Sequence, residues 1–118
     1  MGHHATSARR RFGAHGEDLA AEWYAAHGYR ILDRNWRCAE GELDLVCRQG
    51  ATLVICEVKA RRSDSYGTPL DAVTAAKRWR VRRLAARWLR VHRIHCDTVR
   101  FDVVAVHPEE IEVIVDAW

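Results

Sequence analysis

Two adjoining stretches decide how this chain folds: ELDLVCRQ (42–49) and TLVICEVKA (52–60), joined by Gly50-Ala51. Both are rich in β-formers, and a two-residue link with Gly in the first central position suits a type II′ hairpin turn. Such a turn pairs Gln49 with Thr52. Counting back along the two strands places Asp44 opposite Glu57 and Glu42 opposite Lys59. Because side chains alternate faces, Asp44, Val46, Ile55, Glu57 and Lys59 share one side. Leu43, Leu45, Cys47, Val54, Cys56 and Val58 form an apolar set on the other.

Outward from the hairpin, residues 8–27 carry a helical pattern that Gly28 is placed to end in a left-handed conformation. YRILDRNW (29–36) reads as a strand. TPLDAV (68–73) reads as a helix start, with Thr68 as cap, Pro69 in the first turn and Asp71 against the dipole. That helix is expected to run to about residue 92. TVRFDVVAV (98–106) and EIEVIV (110–115) are the last strands, turned by Pro108. The order is α-β-β-β-α-β-β, a hairpin-rich α/β sheet flanked by helices. At 118 residues the chain is expected to be one domain, with residues 1–7 outside it.

Composition excludes several classes. With 48% hydrophobic and 30% charged residues, the chain is globular rather than disordered. It has no apolar run of membrane-spanning length and no secretion signal, so no membrane partner and a cytoplasmic location are expected. Cys38, Cys47, Cys56 and Cys96 contain no C-x-x-C pair, which favours free thiols in a reducing compartment. Net charge is only +3, yet Lys77, Arg78, Arg80, Arg82, Arg83, Arg87, Arg90 and Arg93 crowd one short stretch. That patch suits a polyanion, although a solvated helix face accounts for it equally.

The opposed carboxylates carry the chemistry. Two like charges facing each other across neighbouring strands oppose folding; at ~5 Å and an effective dielectric near ~20 the repulsion is roughly 3 kcal/mol. A divalent cation such as Mg²⁺ or Mn²⁺ resolves the conflict, because it takes oxygen ligands from one or two carboxylates and leaves positions for water and substrate phosphate. Lys59 lies on the same face and can stabilise developing negative charge or orient the attacking water. The competing reading is a solvated strand face in which Lys59 neutralises its neighbours.

GELDLV followed by LVICEVKAR resembles the D-x(n)-E-x-K signature of the PD-(D/E)xK phosphodiesterases, in particular their Holliday-junction-resolvase-like branch. GAHGEDLAAEWYAAHGYRILDRNWRC, EVKARR, YGTPLDAVTAAKRWRVRRLA and RFDVVAV extend the match from about Phe12 to Val106, where the chain resembles the uncharacterised YraN-type family. The resemblance implies a restriction-endonuclease-like mixed sheet and a metal-dependent nuclease-like site. The expected function is Mg²⁺- or Mn²⁺-dependent cleavage of nucleic acid, DNA more than RNA, with branched and single-stranded forms as candidate substrates. Residue by residue, the resemblance implies that Asp44 and Glu57 bind metal, that Lys59 assists the attack, and that Glu17 of the first helix supplies a further acid. Glu42 is an extra acid beside the motif that competes for Lys59. A module that keeps this fold and binds nucleic acid or protein without chemistry is the alternative.

Outlying residues can be weighed by helical geometry. Gly13, Ala20, Ala21 and Tyr24 lie within about 60° of Glu17, which aims that carboxylate at the packed side of its helix. Leu70, Val73, Val81, Leu84, Trp88 and Val91 form the core stripe of the second helix. Lys77 lies inside the stripe, where it meets an acid or snorkels to an edge. With Arg61, Arg78, Arg80, Arg82, Arg83 and Arg87, it is a candidate phosphate contact. Trp79 points away from the stripe, as for base stacking or a protein interface, including a homodimer. Asp102 is expected to be structural, paired with Arg100. His92 and His95 have no metal-ligand spacing.

Overall fold

The computed structural model describes residues 4–60, 73–108 and 110–118, with side chains from His15 onward. Helix α1 (His4–Ala26) leads into strands β1 (Arg30–Cys38), β2 (Gly41–Gln49) and β3 (Thr52–Ala60); helix α2 (Ala75–His92) then crosses to β4 (Thr98–Val106) and β5 (Ile111–Ile114). The order α-β-β-β-α-β-β is the expected one. The five strands form one mixed sheet in the order β1-β2-β3-β4-β5. Only β3 and β4 are parallel, and α2 makes the crossover that a parallel pair requires. No helix among the described residues is long and apolar enough to cross a membrane.

Local chemistry explains where the elements stop. Helix α1 reaches back to His4, before the expected start at residue 8, and ends where Gly28 takes φ +86°. There the amide of Tyr29 donates to the carbonyl of Tyr24 (2.9 Å), closing the last turn as in a Schellman cap. At the hairpin Gly50 has φ +58° while Ala51 keeps a negative φ, the II′ pattern read from the sequence. Gln49 pairs with Thr52, and the register runs as counted to Leu45 with Cys56.

The start of α2 is a correction. Its cap is Thr74, extended at φ −67°, ψ 165°, whose hydroxyl accepts the Lys77 amide at 3.2 Å. A helix running unbroken from Thr68 is therefore excluded; Thr68, Pro69, Leu70 and Asp71 themselves lie outside the described residues. Two threonines compete to cap this region, and sequence alone does not rank them.

Each face of the sheet buries one helix. Against α1, Ala20 and Tyr24 pack on Leu45, Cys47, Val54, Cys56, Val104 and Val106. Against α2, Val81, Leu84, Ala85 and Trp88 pack on Val46, Leu53, Ile55 and Phe101. Leu43, expected beside Leu45, packs instead on the α2 side, where β2 still pairs with Trp36 of β1 but has left its ladder with β3. Val91 is 60% exposed rather than core, because the helix ends one residue later. The four cysteines are free, with Cys47 and Cys56 buried.

Candidate active site

Between the sheet and the first turns of α2 lies a pocket of about 310 Å³, lined by Gly41, Glu42, Asp44, Glu57, Val58, Lys59, Lys77, Arg80, Val81 and Leu84. The register brings Asp44 and Glu57 to this one side, as the hairpin count requires. The backbone ladder stops one step short of them, and the Asp44 carboxylate itself accepts the Val58 amide at 2.9 Å. A side chain thus takes over a ladder hydrogen bond, which locks Asp44 against β3.

Glu57 is the most enclosed acid here, its side chain only 4% exposed. Burial pushes its carboxyl up to about 7, and the charge of Asp44 and a hydrogen bond between the two carboxyls add to the rise. Lys77 opposes it; its ammonium lies 3.5 Å from Glu57 Oε2. The lysine inside the core stripe does meet an acid, and that acid is Glu57.

Lys59 and Lys77 are hydrogen-bonded neighbours with opposite tendencies. Burial, then Lys77, hold Lys59 below the usual lysine range. Burial works against Lys77 as well, but Lys59 accepting its proton and the negative charges of Glu57 and Asp44 raise it overall. Of the two, Lys59 is the amine that gives up its proton more readily.

An acidic trio adjoins the pocket through Glu42 and Asp44. Glu17 from α1 and Glu42 and Asp44 from β2 each offer an oxygen, and the three oxygens lie within 4.8 Å of one another. Burial raises the Glu17 carboxyl; Asn35 and Arg34 oppose the rise, while Asp44 and Glu42 reinforce it. Two ligands on opposite sides of one Mg²⁺ sit about 4.2 Å apart, given bonds of about 2.1 Å. Neighbouring ligands on the same ion sit about 3.0 Å apart, so the trio would have to close in from its present spacing to share one, while an all-oxygen set is the donor type a hard cation takes. The donor chemistry, three carboxylate oxygens, is of the kind a hard divalent ion takes.

Of the residues expected in one site, Asp44, Glu57 and Lys59 line the pocket, whereas Glu17 is not among its lining residues and lies beside Asp44 and Glu42. Glu42, read as an extra acid beside the motif, pairs across to β1 with Arg37 at 2.6 Å and joins the acidic trio. One contributor was missed. Asn35 hydrogen-bonds Glu17 from a left-handed conformation, φ 53°, inside a strand. The signal was an asparagine amid β-formers, the residue type that strands disfavour and left-handed positions tolerate.

The basic candidates divide. Arg83 and Arg87 both pair with Glu40, at 2.6 and 3.1 Å, so they fix the β1–β2 turn to α2. Arg80 lines the pocket; Arg78 and Arg82 lie on the opposite flank of the helix. Arg61 lies outside the described residues. Asp102 faces α1, away from the acidic pair: it accepts from Tyr24 (2.6 Å), Arg100 (2.8 and 2.9 Å) and the Asp116 amide (2.9 Å), a structural role as expected.

Comparison with known proteins agrees with the resemblance. A family model described as "Uncharacterised protein family UPF0102" matches residues 16–106; this is the YraN-type family. A UPF0102 protein of Beutenbergia cavernae is 54% identical over 99 residues, 84% of either chain. One of Frankia alni is 54% identical over 102 residues, covering 86% of this chain and 85% of its own. One of Rhodococcus opacus is 54% identical over 94 residues, 80% of each.

Proposed function

The chain belongs to the uncharacterised protein family UPF0102, and from the pocket it carries we propose that it is a divalent-metal-dependent phosphodiesterase acting on nucleic acid, DNA more than RNA. One observation carries the reading: Asp44 and Glu57, with Lys59 and Lys77 beside them, converge in one pocket, and Glu17 and Glu42 group with Asp44 beside it. A polar cluster this crowded weakens the fold unless it is used.

In this reading Asp44, Glu17 and Glu42 hold Mg²⁺ or Mn²⁺, with Glu57 alongside. The bound ion supplies Lewis acidity toward a phosphoryl oxygen and a lowered pKa for water. The chain's own groups do the rest. Val58 fixes Asp44 through its amide. Lys77, charged, faces the developing negative charge of the phosphate and neutralises Glu57 between turnovers. Lys59, the amine with the looser proton, orients the attacking water. Arg80 at the pocket edge takes a flanking phosphate.

The test is incubation of the protein with branched, single-stranded and duplex DNA plus Mn²⁺, with Asp44→Asn and Glu57→Gln as controls. The reading expects parent-only cleavage of at least one substrate. Salt-sensitive binding that ignores Mn²⁺, with no cutting of any substrate, would instead make the chain a silent nucleic-acid-binding module.

A further inference from the structure

The flank of α2 facing away from the acid pocket carries a second concavity, of about 400 Å³, lined by Ala75, Arg78, Trp79, Arg82 and Trp118. Its geometry follows from helical spacing. Taking Lys77 as zero, Val81 and Arg80 fall within about 60° of it, while Arg78, Arg82 and Trp79 fall about 100° to 200° away. Trp79 is 69% exposed, the most exposed of the large apolar side chains among the described residues.

The opposite wall is rigid and aromatic. Trp118 stacks on Phe101 with ring centres 5.3 Å apart and planes 22° from parallel. Both arginines lie over this wall, Arg82 at 5.0 Å from Phe101 and Arg78 at 6.0 Å from Trp118. Arg78 is further tied by its Nε to the carbonyl of Val73 at 3.1 Å. Neither guanidinium has a carboxylate partner among the described residues, unlike Arg83 and Arg87 a turn away. Two cations with no counter-charge among the described residues flank an open indole face, so the cleft complements a flat ring attached to an anion.

We propose that this cleft holds an unpaired nucleotide of the substrate, its base stacked on Trp79 and its phosphate against Arg82 and Arg78. A base inside a duplex has both faces covered by its neighbours, so only a single-stranded or splayed segment can present one to Trp79. The α2 helix is about 10–12 Å across, so a strand seated in the cleft reaches the acid pocket within a few nucleotides. The inference rests on the phosphodiesterase reading and sharpens it: the substrate contains single-stranded DNA close to the bond that is cut.

The test is fluorescence anisotropy with a labelled twelve-nucleotide oligo(dT) and a twelve-base-pair blunt duplex, in chelator so that cutting cannot occur. The proteins are the parent, Trp79→Ala, Trp79→Phe and Arg82→Ala. Base–aromatic stacking predicts that Trp79→Ala weakens oligo(dT) binding at least about fivefold and leaves the duplex nearly unchanged. Trp79→Phe restores most of the loss, and Arg82→Ala lowers the salt slope by about one. No measurable oligo(dT) binding by the parent, equal losses on both probes, or full affinity in Trp79→Ala overturns the proposal. So does a changed sedimentation coefficient in Trp79→Ala with oligo(dT) binding intact, which assigns the cleft to a protein partner or second copy. Stacking through Trp79 without cleavage of any substrate sinks the catalytic reading and keeps the cleft. Cleavage with indifferent Trp79 does the reverse.

Discussion

Replacing Glu57 with Gln should stabilise the fold, and the gain should depend on pH. The folded chain holds the Glu57 proton up to about pH 7, against 4.5 for the ordinary side chain. Below pH 4.5 both folded and unfolded states are protonated, and the carboxyl contributes no difference. Between 4.5 and 7 the unfolded state releases the proton and the folded state keeps it, so stability falls as pH rises. Above 7 the whole penalty is present, about 3 kcal/mol from 2.5 pKa units at 1.36 kcal/mol each. Gln imitates the protonated acid and never ionises. Urea denaturation in chelator should therefore show parent and Glu57→Gln within about 1 kcal/mol at pH 4 and the variant more stable by about 2–3 kcal/mol at pH 8. A variant less stable than the parent at pH 8, or a difference that ignores pH, refutes the reasoning. It would mean that Lys77 compensates the buried charge fully.

Other perturbations probe the surroundings of the same pocket. Lys77→Met removes the cation 3.5 Å from Glu57, which should cost about 1–3 kcal/mol at pH 8 and little at pH 5, by the same denaturation. Asn35→Gly should keep or slightly raise stability, whereas Asn35→Val, forced to φ 53°, should lose about 1–3 kcal/mol and let Glu17 move. Asp102→Ala leaves Tyr24, Arg100 and the Asp116 amide without their acceptor and should lower stability by about 3–5 kcal/mol, read by thermal melting.

The hairpin was legible because two local rules agree: Gly50 fixes the turn, and alternation fixes the faces. Their joint count gave the observed register down to Leu45 and Cys56. Lys77 was legible because a charge inside an apolar helical stripe needs a partner, and Glu57 is that partner. What failed to show belongs to tertiary structure. The Glu17–Glu42–Asp44 grouping depends on where α1 crosses the end of β2, a distance no local pattern encodes. The basic run looked uniform in sequence, but Glu40 of the β1–β2 turn claims Arg83 and Arg87, whereas Arg78 and Arg82 meet no acid among the described residues. The start of α2 was misplaced because Thr68-Pro69 and Thr74 are both competent caps by sequence, and the described helix begins after Thr74.

The most direct measurement is anomalous diffraction from crystals soaked in Mn²⁺. One strong peak is expected at bonding distance, about 2.0–2.2 Å, from Asp44 and from Glu17 or Glu42, and it should vanish in Asp44→Asn. Full Mn²⁺ occupancy elsewhere, or no ion in the pocket at millimolar Mn²⁺, would contradict it.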